Sequence, residues 1–167
     1  DKISEEMQTD YYDKSPYNIV RLILNRDENR YESAAENLKQ WIDDEVLVRD
    51  ETRSIYPYFQ QYNAQGETRV RKGFVGLGKL TGGDDVKAHE NTMEGPKADR
   101  LNLMKATEAN FGHIFMLYSD PEGKIDDLLL EMAEDSEPIV QVRDEDRNSH
   151  KLWRLEDRDL IDEIREL

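Results

Sequence analysis

The apolar residues of this chain fall in periodic blocks separated by polar stretches, and most blocks carry the period of one kind of element. Ser4-Glu5-Glu6 reads as an N-cap with an acidic first turn, which predicts a short helix over residues 5–13. Ser15-Pro16 stops it, because the residue before proline avoids the helical region. The apolar, β-branched run over residues 17–24 predicts a mostly buried strand. Tyr31, Ala34, Ala35, Leu38, Trp41 and Ile42 then recur at helical spacing, with Glu32, Glu36, Lys39 and Asp43 on the opposite side, an amphipathic helix.

Val46-Leu47-Val48 predicts a short strand. Residues 55–62 and 68–80 predict a hairpin around Asn63-Ala64-Gln65-Gly66. Alternation puts Arg69, Arg71, Gly73 and Val75 on one face of its second strand, and Thr68, Val70, Lys72 and Phe74 on the other. After a long polar connection, Pro96 suits the first turn of a helix running to about residue 109. Residues 112–118 predict a strand, closed by the turn Asp120-Pro121-Glu122-Gly123. Ile125, Leu128, Leu129, Met132 and Ala133 form one helical stripe. Residues 139–142 and 151–155 predict a second hairpin around an acidic loop, and Leu160, Ile161, Ile164 and Leu167 begin a last helix. Helices and strands mix without strict alternation. The expected fold class is α+β: a mixed, largely antiparallel sheet from two hairpins plus central strands, with four to five helices packed on it.

Composition narrows the classes. The 167 residues suit a single domain over 1–167. The chain starts at Asp1 and stops inside an apolar pattern, so it is expected to be a fragment of a longer one. No apolar run approaches the roughly 18 residues of a membrane helix, no secretory leader is present, and a cytoplasmic location is expected. Cysteine is absent, which excludes disulfides, thiolate metal sites and a cysteine nucleophile. The net charge of −15 excludes broad nucleic-acid binding, which needs a basic face. That acidity is uneven. Residues 67–105 hold eight basic side chains against six acidic ones, a locally positive stretch. Ordinary strand and helix surface explains this, and so does a local anion site, which needs only two or three convergent donors.

The chemistry concentrates around that stretch. His89-Glu90-Asn91-Thr92 precedes Gly95-Pro96-Lys97-Ala98-Asp99-Arg100, where a helix N-terminus offers unpaired N–H groups. Lys97 and Arg100 add full charges. Arg100 heads a stripe with Leu103, Met104, Thr107 and Phe111, and there needs an anion: Asp99, Glu90 or a ligand. His89 is a candidate general acid or base, oriented by Glu90 or Asp99. The same residues also suit a purely structural salt-bridge network. His89, Glu90 and His113 lack the spacing of a helical metal motif, so no metal is expected. His113 heads an apolar run and reads as a core histidine. Asp144, Asp146 and Asn148 open like a calcium loop, but Ser149 and Leu155 stand where its glycine and glutamate belong, leaving an exposed hairpin loop.

Read together, several stretches resemble the bacterial and archaeal family called domain of unknown function 1015. They are Ser15-Pro16-Tyr17-Asn18-Ile19-Val20-Arg21-Leu22, Arg71-Lys72-Gly73-Phe74, His89-Glu90-Asn91-Thr92, Gly95-Pro96-Lys97-Ala98-Asp99-Arg100-Leu101, Ala109-Asn110-Phe111 and His150-Lys151-Leu152-Trp153. Ala88 and Phe59 depart from the family's tendency toward proline and glutamate there. The resemblance implies a longer protein with a downstream Asp-Gly-His-His-Arg motif, similar to the phosphate-contacting box of ParB-like and sulfiredoxin-like proteins, free-serine kinases included. It implies half of a nucleotide-dependent site for transfer to a small metabolite. Arg71, Lys97 and Arg100 would bind the anion, with Asp99 beside them. His89 or Glu90 would move protons, and Thr92 and Asn110 would orient. The expected partner is a small anionic ligand or nucleotide; no cofactor is specified. The alternative is a non-catalytic binding, regulatory or protein-interaction module, the last using the acidic residues 120–167.

Overall fold

In the computed structural model, which describes residues 3–79, 86–88, 91 and 93–167, those residues form six helices and four strands. The contacts divide the chain into two compact units, Asp1–Arg49 with Gly82–Ile114 and Asp50–Thr81 with Phe115–Leu167.

The first unit is helical: α1 (Glu5–Lys14), α2 (Val20–Ile23), α3 (Arg30–Asp43) and α4 (Glu94–Thr107). Ser4 caps α1 as its position predicts, its hydroxyl accepting from Met7 N–H at 3.2 Å. The run over 17–24 is not a strand. Asn18 Oδ1 accepts from Val20 N–H (3.1 Å) and starts a one-turn helix, which buries Val20 and Leu22. A short apolar run has the same look in a buried helix as in a buried strand, and here the turn-forming Ser15 and Asn18 decide it. Arg21 fixes the segment, donating to the Tyr12 carbonyl (2.8 Å) and lying over the Tyr12 ring. The amphipathic α3 buries Ala34 and Trp41, with Tyr17 edge-on to the indole. Val46 and Leu47 are not a strand either. Glu45 turns left-handed (φ 57°), and both following N–H groups close on the Trp41 carbonyl, ending the helix. In α4, which packs on α3, Leu103 is the buried residue.

The second unit holds β1 (Tyr56–Ala64), β2 (Glu67–Val75), α5 (Lys124–Asp135), β3 (Val140–Arg143), β4 (Ser149–Leu152) and α6 (Arg158–Glu166). Its sheet is antiparallel throughout, in the order β2-β1-β4-β3. Both predicted hairpins form. The first turns at Gln65 (φ 54°) and Gly66 (φ 84°), the paired left-handed conformation that matches strand twist. Among the described residues the sheet consists of the two hairpins alone. Residues 112–118 form no strand; Phe115 lies over the Arg71 guanidinium and Tyr118 meets Phe74 at 5.8 Å between ring centres. An apolar run needs a ladder partner to become a strand, and none of the described residues supplies one.

Ile125, Leu129, Leu155 and Ile164 make the core of this unit, with Phe59, Ile55 and Leu160 packed against it. Phe59 also touches Trp153, whose indole N–H donates to the Ser136 carbonyl at 3.1 Å. The helices therefore cover the Phe59 face of the sheet. The register puts Tyr58, Gln60 and Tyr62 of β1, Arg71 and Gly73 of β2 and His150 of β4 on the opposite face. Among the described residues no helix is long and apolar enough to cross a membrane.

Candidate functional site

His89, Glu90 and Thr92 lie outside the described residues. The expected residues that follow them fall on or just after α4. Asp99 does not meet Arg100. It accepts from Arg30 at the start of α3 and, at 2.8 Å, from the Tyr31 hydroxyl. The crevice around this group, lined by Leu22, Asn25 and Leu103, leaves no room for a water. Asp99 thus ties α4 to α3. Lys97 reaches Glu94 at 3.5 Å on the exposed side of the helix. Arg100 is exposed, and among the described residues no carboxylate pairs with it. Asn110 Oδ1 accepts from Gly112 N–H at 3.2 Å and shapes the turn after the helix. His113 is exposed rather than in a core.

Arg71 belongs to the other unit. Its guanidinium lies over the Phe115 ring at 5.3 Å and the Tyr62 ring at 5.5 Å. Neither contact is a hydrogen bond, so the N–H groups of the fork keep their donating capacity. Among the described residues no carboxylate pairs with Arg71. By contrast, Lys72 on the opposite face is held by Asp126 at 2.8 Å, and Arg69 by Glu67 at 3.2 Å.

On the same face as Arg71 lies a group that sequence reasoning did not assemble. The Tyr58 hydroxyl is 2.6 Å from His150 Nδ1, and His150 Nε2 is 3.0 Å from Asp144 Oδ2. Asp144 also accepts from Asn148, at 2.7 Å from its backbone N–H and 2.8 Å from its side-chain amide. Those bonds, that to His150 foremost, hold the Asp144 carboxyl below the usual carboxylate range. Burial pushes the Tyr58 phenol up, while Arg71 pulls it back down. The apparent calcium loop is in use otherwise: Asp144 closes the hairpin on Asn148. Among the described residues no group of three acidic or histidine side chains could hold a metal.

A cleft of about 280 Å³ opens on the helix-covered face, lined by Phe59, Val70, Leu130, Trp153, Lys151 and Glu134 among others. One cation and one carboxylate in that lining offer an anion no net attraction. At the end of β1, Tyr56 donates to Asp50, which Arg154 also holds at 2.8 Å; the Tyr56 bond is the main reason that Asp50 sits below the usual carboxylate range.

These features define an α+β protein with a helical unit and a sheet unit, the latter presenting a stacked arginine and a histidine-centred hydrogen-bond chain on one face. The chain belongs to the family described as Protein of unknown function (DUF1015), whose model matches residues 1–167. No curated protein and no solved structure matches it significantly.

Proposed function

We propose that this chain binds a small ligand carrying a phosphate or carboxylate group, and that Arg71 receives the anion. The observation that carries this reading is the Arg71 guanidinium lying over the Tyr62 and Phe115 rings with no carboxylate partner among the described residues. Such a side chain is already ordered, so less rotamer freedom is lost when an anion arrives, and its fork suits two parallel N–H···O bonds. The finer chemistry that the family resemblance implies, nucleotide-dependent transfer to a small metabolite, gives His89 or Glu90 the proton-moving role and Thr92 and Asn110 the orienting one. Arg100 is a rival cation on α4, and the experiment separates it from Arg71.

The test is thermal unfolding of the chain with inorganic phosphate, pyrophosphate or ATP. A ligand at a hundred times its Kd adds about 2.7 kcal/mol, enough for a rise of several degrees. Arg71→Ala is expected to abolish the rise and to leave the unliganded melting point nearly unchanged. Arg100→Ala and His89→Ala are expected to keep it. No rise with any of the three anions, or a rise that survives Arg71→Ala, overturns the proposal. A rise lost only in Arg100→Ala or His89→Ala assigns binding to the α4 region instead. One observation favours the second reading, an interaction module: Ile114 and Leu117 expose 78% and 86% of their surface.

A further inference from the structure

We propose that Tyr58, His150 and Asp144 form a proton relay that makes the Tyr58 oxygen the reactive group of this sheet face, serving proton transfer to and from a small hydroxyl- or amine-bearing ligand. The inference goes beyond anion binding and stands whether or not Arg71 holds an anion. It rests on the 2.6 Å and 3.0 Å contacts that link three side chains from separate segments: β1, β4 and the loop after β3.

The hydrogen-bond directions are fixed from the far end. Asp144 is an ionised acceptor, already receiving both N–H groups of Asn148. His150 must therefore present N–H at Nε2, which leaves the Nδ1 lone pair of the neutral ring facing Tyr58. The Tyr58 O–H donates into that lone pair. When Tyr58 takes a proton from a ligand, its own proton passes to Nδ1. The imidazolium so formed is stabilised by Asp144, and the return transfer restores the starting state. This is the division of labour of nucleophile, base and orienting carboxylate, with a phenol as the outer group.

The surroundings suit that role. His150 faces Gln60 of β1 and Val142 of β3, Tyr58 faces Leu152 of β4 and Gly73 of β2, and Arg71 of β2 stands one pair further along, opposite Gln60. Burial, the largest influence, and the Asp144 carboxylate favour the neutral phenol that donates to His150, while Arg71 works the other way. Directly opposite Tyr58 stands Gly73, and a side-chain carbon built there would meet nothing within 4 Å. Gly73 adds no side chain to the space beside the phenol. The glycine keeps it open to a ligand.

The test uses an arylsulfonyl fluoride on the chain, with peptide mass mapping of the modified tyrosines. In this reaction the Tyr58 oxygen bonds to sulfur, fluoride leaves with the S–F electrons, and the phenol proton goes to His150. Tyr62, on the same strand and face but without a histidine partner, is the internal reference. General-base assistance of the usual size predicts that Tyr58 is modified roughly a hundredfold faster than Tyr62. Asp144→Asn is expected to remove most of that advantage: an Asn amide can donate to Nε2 and turn the ring to the tautomer that blocks Nδ1. Circular dichroism confirms that the fold remains. If this variant fails to fold, His150→Gln serves, with the same loss expected. Equal rates for Tyr58 and Tyr62, or a Tyr58 rate unchanged in the folded variant, overturn the relay and leave a structural clamp.

Discussion

Asp99 accepts from Arg30 and Tyr31 together, so one carboxylate organises two side chains of the neighbouring helix. The pair is about two-thirds shielded on the Asp99 side, with side-chain exposures of 40% and 34% for Arg30 and Asp99. An exposed ion pair alone contributes about 0.2–1 kcal/mol, and a hydrogen bond to a charged group somewhat more. Asp99→Ala is therefore expected to cost roughly 1–2 kcal/mol in urea unfolding, and Arg100→Ala less than about 0.5 kcal/mol. Equal effects of the two substitutions would contradict the assignment of Asp99 to the structural network. Adjacent charged residues here have unrelated duties, because a helix turns them by about 100° from one to the next.

At the scale of elements, the start of α5 shows how much one upstream side chain can settle. Asp120 accepts from the N–H groups of Lys124 (2.9 Å), Ile125 (3.0 Å) and Asp126 (3.1 Å), while Gly123 turns left-handed (φ 71°) between them. Three of the four orphan donors of the helix find partners in one carboxylate, which also complements the helix dipole. Asp120→Ala is expected to lower stability by about 1–2 kcal/mol, and Asp120→Asn by less. Equilibrium denaturation followed by tryptophan emission reads this out through Trp153, which packs in the same unit.

Local pattern made α1, α3, α5, α6 and both hairpins legible, since caps, helical spacing and turn residues act within a few residues. It failed where neighbours decide. Residues 17–24 and 46–48 are apolar enough for strands, yet the bond of Asn18 starts a helical turn in the first, and the Trp41 carbonyl draws the second into the bend that ends α3. For the site, the two-residue alternation of β2 is enough to put Arg71 and Gly73 together on one face. The Tyr58–His150 contact was not legible. The two residues stand 92 positions apart, and nothing local sets the register of β1 on β4.

At the scale of the molecule, the chain passes back and forth between its units, with Asp1–Arg49 and Gly82–Ile114 in one and Asp50–Thr81 and Phe115–Leu167 in the other. Each unit is thus stitched from two separated lengths: α4 rests on α3, and β4 pairs with β1. A protease site engineered after Gly78, beside the fully exposed Leu77, should therefore yield two pieces that travel as one species in gel filtration and part only in denaturant. Pieces that part in native buffer would show the seams to be weak.

That braiding also dictates an order of events at the ribosome. The first helices emerge before the helix they rest on exists, and the leading hairpin waits for its neighbour until residue 152 has been made. Neither half can be inherited, truncated or swapped alone; a genetic cut anywhere between the first and the last of the three crossings divides both bodies at once.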